Sequence, residues 1–200
     1  IDEDFAKSLG LKSLEDLKEA VKSNLTQEYK NVVKEYQKQN ILNIFNEIYQ
    51  FDVPQGMVDL EFKNICYKLA EERPADQDEQ SFIEANKKAW EKEYYPIAQR
   101  RVRLGLVLAE IARQNKIDVT QDEVSQAIAH KARQFPGQEQ QVFEYYMQNK
   151  EALASLRAPL LEHKVIDFII TKAQLKESKI TPEKLMQKLE NLYEEDKEDQ

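Results

Sequence analysis

Four glycines and six prolines are the only residues of those two kinds in 200. Many short strands joined by tight hairpins would need more of both, which argues against a β-sandwich or barrel. The glycines (Gly10, Gly56, Gly105, Gly137) are too scattered to build a phosphate-cradling loop. The single cysteine, Cys66, cannot close an internal disulfide and suits a reducing compartment. The two histidines, His130 and His163, have no second histidine one helical turn away, so no metal-ligand cluster forms around them. No apolar run is long enough to span a bilayer. Lys and Arg number 29 against 37 Asp and Glu, a net charge of −8, so no basic footprint for a nucleic-acid backbone is expected. The expectation is a chain without metal, cofactor, nucleic acid or membrane partner.

What remains is a composition rich in Glu, Lys, Gln, Leu and Ala, with 41% hydrophobic and 33% charged residues. These are good helix formers, and the reading is all-α. Ser13-Leu14-Glu15-Asp16 is a helix start, with Ser13 as cap and two acids in the first turn. Neither Gly nor Pro interrupts from there to Tyr49. Apolar residues recur at Leu14, Leu17, Val21, Leu25, Tyr29, Val32, Val33 and Tyr36, then at Ile41, Leu42, Ile44, Phe45 and Ile48. Unbroken, this helix would be ~55 Å long. A compact ball of this size is only ~35 Å across. The helix must therefore project or break near Lys38-Gln39-Asn40, and an elongated helical body with projecting arms is expected.

Pro54 ends that element and opens a second helix over about 55–72, with Met57, Leu60, Ile65 and Leu69 recurring. A third begins near Glu79, and Pro96 should kink or divide it. The apolar run from Val102 to Ala112 should be enclosed by other helices. Thr120 and Glu123 have the spacing of a capping box. Pro136-Gly137 marks a turn, a short helix spans about 139–147, and a longer one about 151–175. In that longer helix Pro159 should kink the chain or start a new segment. Thr181-Pro182 opens a last short helix. The expected organisation is one helical domain over 1–193, with a first long helix over about 13–50 and arm regions over about 54–95 and 117–150. The charged tail, 194–200, should be disordered.

No catalytic constellation stands out. Cys66 between Ile65 and Tyr67 reads as a buried, inert thiol. Arg100-Arg101-Val102-Arg103 reads as a helix face pairing with acids. By contrast, many large apolar residues lie in otherwise polar segments. Met57, Leu60, Phe62, Ile65 and Tyr67 do not fit one narrow stripe. Tyr94-Tyr95 and Tyr145-Tyr146 are adjacent pairs whose members must point different ways. Exposed surfaces bearing Met and aromatic residues accept varied apolar partners without strict geometry.

Several segments, taken in order, resemble the trigger factor family. They are Asp4-Phe5-Ala6-Lys7-Ser8-Leu9-Gly10, Ser13 to Leu17, Phe51-Asp52-Val53-Pro54, Arg100 to Leu108 with Glu110-Ile111, Asn115-Lys116-Ile117, and Phe143-Glu144-Tyr145-Tyr146 with Asn149-Lys150-Glu151. The stretch from Ile117 to Ala173 is also similar to the helical domain of periplasmic parvulin-type chaperones. The resemblance implies the C-terminal, substrate-binding domain of a cytoplasmic bacterial chaperone, a helical body with two arms. Acidic Ile1-Asp2-Glu3-Asp4 fits an excised fragment or processed chain. The family's ribosome-binding loop and prolyl isomerase domain have no counterpart here. Ribosome contact would then need an absent N-terminal domain, and this chain would not be an enzyme.

The implied partners are unfolded or nascent polypeptides, and a weak homodimer is compatible. Polar surroundings around Pro136-Gly137 cannot enclose Phe135, Val142, Phe143 and Tyr146 locally, and the resemblance makes these residues client-facing. It adds Ile128, and it places Met57, Leu60 and Ile65 on the other arm. The rival reading is a helical scaffold or coiled coil with one dedicated partner. It is disfavoured because the stripe of the first helix drifts away from a heptad.

Overall fold

The computed structural model describes residues 2–198, and the side chains of 2–192. Among the described residues there are eight helices and no strand: α1 (Glu3–Ser8), α2 (Leu14–Ile48), α3 (Gln55–Ala70), α4 (Glu79–Asn115), α5 (Gln121–Ala132), α6 (Glu139–Gln148), α7 (Lys150–Lys172) and α8 (Pro182–Glu198). The fold is all-α. It divides into two compact units, one of residues 1–44 with 177–200 and one of residues 45–176.

In the first unit, the six-residue α1 is an element the periodicity did not reveal. Its signal is local. The Asp2 carboxylate accepts from the Phe5 amide at 3.0 Å, and Glu3 and Asp4 occupy the first turn. It ends in a Schellman motif. The Leu11 amide donates to the Ala6 carbonyl and the Gly10 amide to the Lys7 carbonyl, with Gly10 at φ 80°.

The hydroxyl oxygen of Ser13 accepts from the Asp16 amide at 3.1 Å and starts α2 as the sequence indicates. The helix then runs unbroken through Lys38-Gln39-Asn40, so the expected break there is not present. Those polar side chains satisfy themselves within the helix. Gln39 donates to Glu35 Oε1 at 2.8 Å, and Asn40 donates to the Tyr36 carbonyl at 2.8 Å. Residues 21–31 are exposed all the way round. Over that stretch helix propensity and side-chain pairs such as Gln27 with Asn31 sustain the helix, rather than burial. In the same unit the Lys188 ammonium lies over the Tyr36 ring, and Leu185 of α8 is buried. The backbone of α8 is helical to Glu198, through most of the segment expected to be disordered, and residues 199 and 200 lie outside the described residues.

The second unit is built on α4. Helix α3 packs antiparallel along it, burying Val58, Phe62, Ile65 and Cys66 against Ala98 and Val102. Phe62 and Tyr95 meet edge-on, and the Arg101 guanidinium pairs with Glu61 at 3.2 Å. Pro96 removes one amide donor, yet α4 continues through it undivided. Its neighbours Tyr94, Tyr95, Ile97 and Ala98 all belong to the α3–α4 core, which holds that turn in place. Val102, Leu104, Val107, Leu108 and Ala112 are buried, as expected of an enclosed segment. Helix α7 likewise passes through Pro159 without dividing.

Helix α4 ends on a Schellman motif in which Lys116 takes the left-handed position, φ 55°, usually given to glycine. A side chain there is strained. Lys116→Gly should therefore raise stability by about 0.5–1 kcal/mol, read from a urea melt.

A second core joins α5 to α7. Val119, Val124 and Ile128 are buried among Leu153, Leu156, Leu160, Leu161 and Tyr146. The capping box forms as its spacing indicates: the Glu123 amide donates to Thr120 Oγ1, and the Thr120 amide donates back to Glu123 Oε2 at 2.7 Å. The same carboxylate accepts from Lys164 of α7 at 2.8 Å through both oxygens. The Lys164 ammonium and the Thr120 amide together hold the Glu123 carboxyl at about 2, against an ordinary 4.5. A depressed pKa contributes stability that is fully present above the unfolded value and is lost as pH falls towards the folded one. Glu123→Gln should lower the melting temperature near neutrality. The gap to the parent should narrow below pH 4.5 and close near pH 2 in an acid series.

Candidate functional site

The chemical exclusions drawn from the sequence can be examined side chain by side chain. The Cys66 thiol is buried in the α3–α4 core and its pKa is pushed up by that burial, so it is poorly nucleophilic. Arg101 is engaged by Glu61. Arg103 donates to Asn46 Oδ1 and to the Phe51 carbonyl, both at 3.4 Å, tying the end of α2 to α4. These arginines are structural ties within the second unit. Among the described residues no three His, Cys, Asp or Glu side chains converge as metal ligands, and no helix is long and apolar enough to cross a membrane.

The unsatisfied chemistry is apolar. Helix α6 buries no residue at all, although it carries Val142, Phe143, Tyr145, Tyr146 and Met147. Phe143 is 43% exposed, and Phe135, just before the Pro136-Gly137 turn, is 46% exposed. Tyr145 and Met147 are exposed as well. The turn causes this. Gly137 sits at φ 84°, which lets the chain reverse within a few residues of α5, leaving α6 with only its Tyr146 side on the core. Tyr145 and Tyr146 meet edge-on at 5.4 Å, one ring outward and one against Leu153 and its neighbours.

A second apolar surface lies on α3. Its inner face is Val58, Phe62, Ile65 and Cys66, and its outer face carries Met57, Leu60 and Tyr67, spaced by three and seven. Leu60 is 60% exposed. At the end of α2, Ile48, Tyr49 and Phe51 add further exposed apolar area to the same unit.

Of the eight residues singled out from sequence, Met57, Leu60, Phe135 and Phe143 are exposed, and Val142 and Tyr146 are half-buried. Ile65 and Ile128 are corrections. Ile65 is 6% exposed in the α3–α4 core and Ile128 is 0% exposed in the α5–α7 core, so neither can meet a partner without unfolding. The sequence reading placed Met57, Leu60, Ile65 and Leu69 in one row, which mixes the two faces of α3. The spacing of Val58, Phe62, Ile65, Cys66 and Leu69 is the one that marks the core side. The eight residues do not form one site. Helix α3 packs on α4, whereas α6 packs on α5 and α7, leaving two separate surfaces. Tyr67, Tyr145 and Met147 lie outside that set of eight and are exposed as well. Their signal was present in the adjacent tyrosines and in the row from Met57 through Leu60 to Tyr67.

The class defined here is an all-α protein whose larger unit carries two solvent-facing apolar surfaces and no assembled reactive group among the described residues. The family model described as bacterial trigger factor protein C-terminus matches residues 13–171, and the chain belongs to that family. It is 44% identical over 189 residues to the trigger factor of Azorhizobium caulinodans, covering 92% of this chain and 41% of that protein. The trigger factor of Xanthobacter autotrophicus is 43% identical over 191 residues, covering 96% and 42%. That of Rhodospirillum centenum is 40% identical over 186 residues, covering 93% and 42%. The chain thus spans about two fifths of the length of the curated relatives it matches.

Proposed function

We propose that this chain is the polypeptide-binding part of a molecular chaperone and acts as an ATP-independent holdase for unfolded or nascent chains in the bacterial cytoplasm. The observation that carries the reading is α6, a helix with five large apolar side chains and not one of them buried. Leaving that area in water is unfavourable, and a partner with exposed apolar segments of its own relieves it on both sides. Burying ~500 Å² of client apolar area gives roughly 12 kcal/mol gross at ~25 cal/mol/Å². Ordering and association remove about 4–15 kcal/mol of this. The outcome is weak, reversible binding at each surface, which a protein that must release its client requires. The charged side chains surrounding the exposed rings keep the loaded complex soluble. In this reading the chain performs no chemistry, and ribosome contact and prolyl isomerisation belong to parts of the longer relatives outside it.

The test is aggregation suppression. At stoichiometric amounts the chain should keep several unrelated, chemically unfolded proteins in solution without nucleotide. Protection of a single partner and of no other would favour a dedicated scaffold instead.

A further inference from the structure

Helix α8 belongs to the first unit, and it meets α2 along one narrow face. Leu185, Lys188, Leu189 and Leu192 are spaced as i, i+3, i+4 and i+7, so they share one side of the helix. Leu185 is buried, and Leu189 and Leu192 are half-buried. Every other residue from 182 to 191 is exposed. The Lys188 ammonium lies 5.9 Å from the centre of the Tyr36 ring, which sets this side of α8 against α2. The helix that receives it changes character at the same place. Residues 21–31 of α2 are exposed, whereas residues 35–43 are all buried or half-buried, with Gln39 and Leu42 the most enclosed.

The attachment is narrow and the tether is loose. Residues 174–181, which lead from α7 to α8, have no secondary structure, and all of them are exposed. Leu175 and Ile180 in this stretch are 56% and 39% exposed, so not even its apolar side chains are packed. Extended, these residues reach about 26–29 Å, enough for α8 to leave its seat while the cores of the second unit stay intact.

We propose that α8 is a detachable strap over a helix-docking site on α2. The site is centred on Tyr36 and takes an amphipathic helix with apolar anchors at i, i+4 and i+7 and a cation at i+3 that rests on the tyrosine ring. The chain's own α8 holds it closed at rest. The anchors have helical spacing, so the partner that competes for the seat is a folded amphipathic helix rather than an extended apolar segment. This separates the site from the exposed surfaces of α3 and α6, and it does not rest on the holdase reading.

A fluorescein-labelled peptide of residues 182–198 serves as the competing helix, and its binding to the full chain is read by anisotropy. In the parent, the tethered α8 keeps the seat occupied and the peptide should bind weakly. Leu185→Ala combined with Lys188→Gln in the chain loosens the strap and should tighten peptide binding about tenfold or more. Adding Tyr36→Ala to that loosened chain should remove most of the gain. Phe135→Ala combined with Phe143→Ala should leave the gain intact, because those rings belong to another surface. Hydrogen exchange of the unaltered chain gives a second test. The slowest amides of residues 186–192 should exchange at least about a hundredfold faster than the slowest of α4, because the strap opens without global unfolding. Equal peptide affinity in the parent and the loosened chain would overturn the assignment. So would a gain that survives Tyr36→Ala, or α8 amides as slow as those of α4. The holdase reading fails separately, if an unfolded polypeptide does not bind.

Discussion

Replacing Ile128 by alanine should cost about 2–5 kcal/mol of stability, the range for truncating a fully buried isoleucine whose surroundings cannot collapse into the space. Ile128 touches no solvent and lies beside Val119 and Val124 under the leucines of α7. At about 2–4 °C per kcal/mol for a chain of this length, the α5–α7 transition should move down by roughly 4–20 °C. Affinity for an unfolded client should be unchanged below that transition. A client-facing Ile128, as the sequence alone had it, would give the opposite pattern, with the melt intact and binding weakened. Thermal melting followed by far-UV circular dichroism distinguishes the two.

The reverse behaviour is expected at the tip of the α5–α6 turn. Phe135→Ala combined with Phe143→Ala removes two rings that are nearly half exposed and belong to neither core. Surface truncations of this kind should move stability by no more than about 0.5 kcal/mol each. If each ring covers ~100 Å² of client, the gross loss is roughly 2.5 kcal/mol per ring. Sharing of client contacts makes the two losses less than additive, so affinity should fall by about ten- to a hundredfold. Tyr146 is the internal control. It packs against the α7 leucines, so Tyr146→Ala should destabilise the unit as well as weaken binding. Fluorescence anisotropy of a labelled unfolded polypeptide, run beside the melts, measures both quantities for each variant.

The contrast between Ile128 and Phe143 also shows what was legible in the sequence. Local signals translated directly. Ser13, Thr120 with Glu123, Pro54 and Gly137 each act within a few residues, and each performs the predicted capping or turning role. Helix type was equally plain, because a chain so poor in glycine and so rich in helix formers has few alternatives. Breaks were harder to read. Lys38-Gln39-Asn40, Pro96 and Pro159 all look like interruptions. The first is satisfied by bonds one turn back, and Pro96 is held by tertiary packing that propensity does not describe. Burial was hardest, since it depends on which helix lies opposite. Ile65 and Leu60 are both apolar residues on α3, and only the position of α4 makes one core and the other surface. Helix α6 is amphipathic, so its pattern indicates a packed side, and only the tertiary arrangement leaves Tyr146 as its one contact with the α5–α7 core.

The most direct measurement is a nuclear magnetic resonance map of side-chain shifts as an unfolded, reduced and carboxymethylated polypeptide is titrated into the chain. The account predicts shifts that saturate together at Met57, Leu60, Phe135, Phe143 and Met147, while the Ile65 and Ile128 methyls stay where they are. Shifts confined to α2, or movement of Ile65 and Ile128 with the exposed residues unaffected, would contradict it.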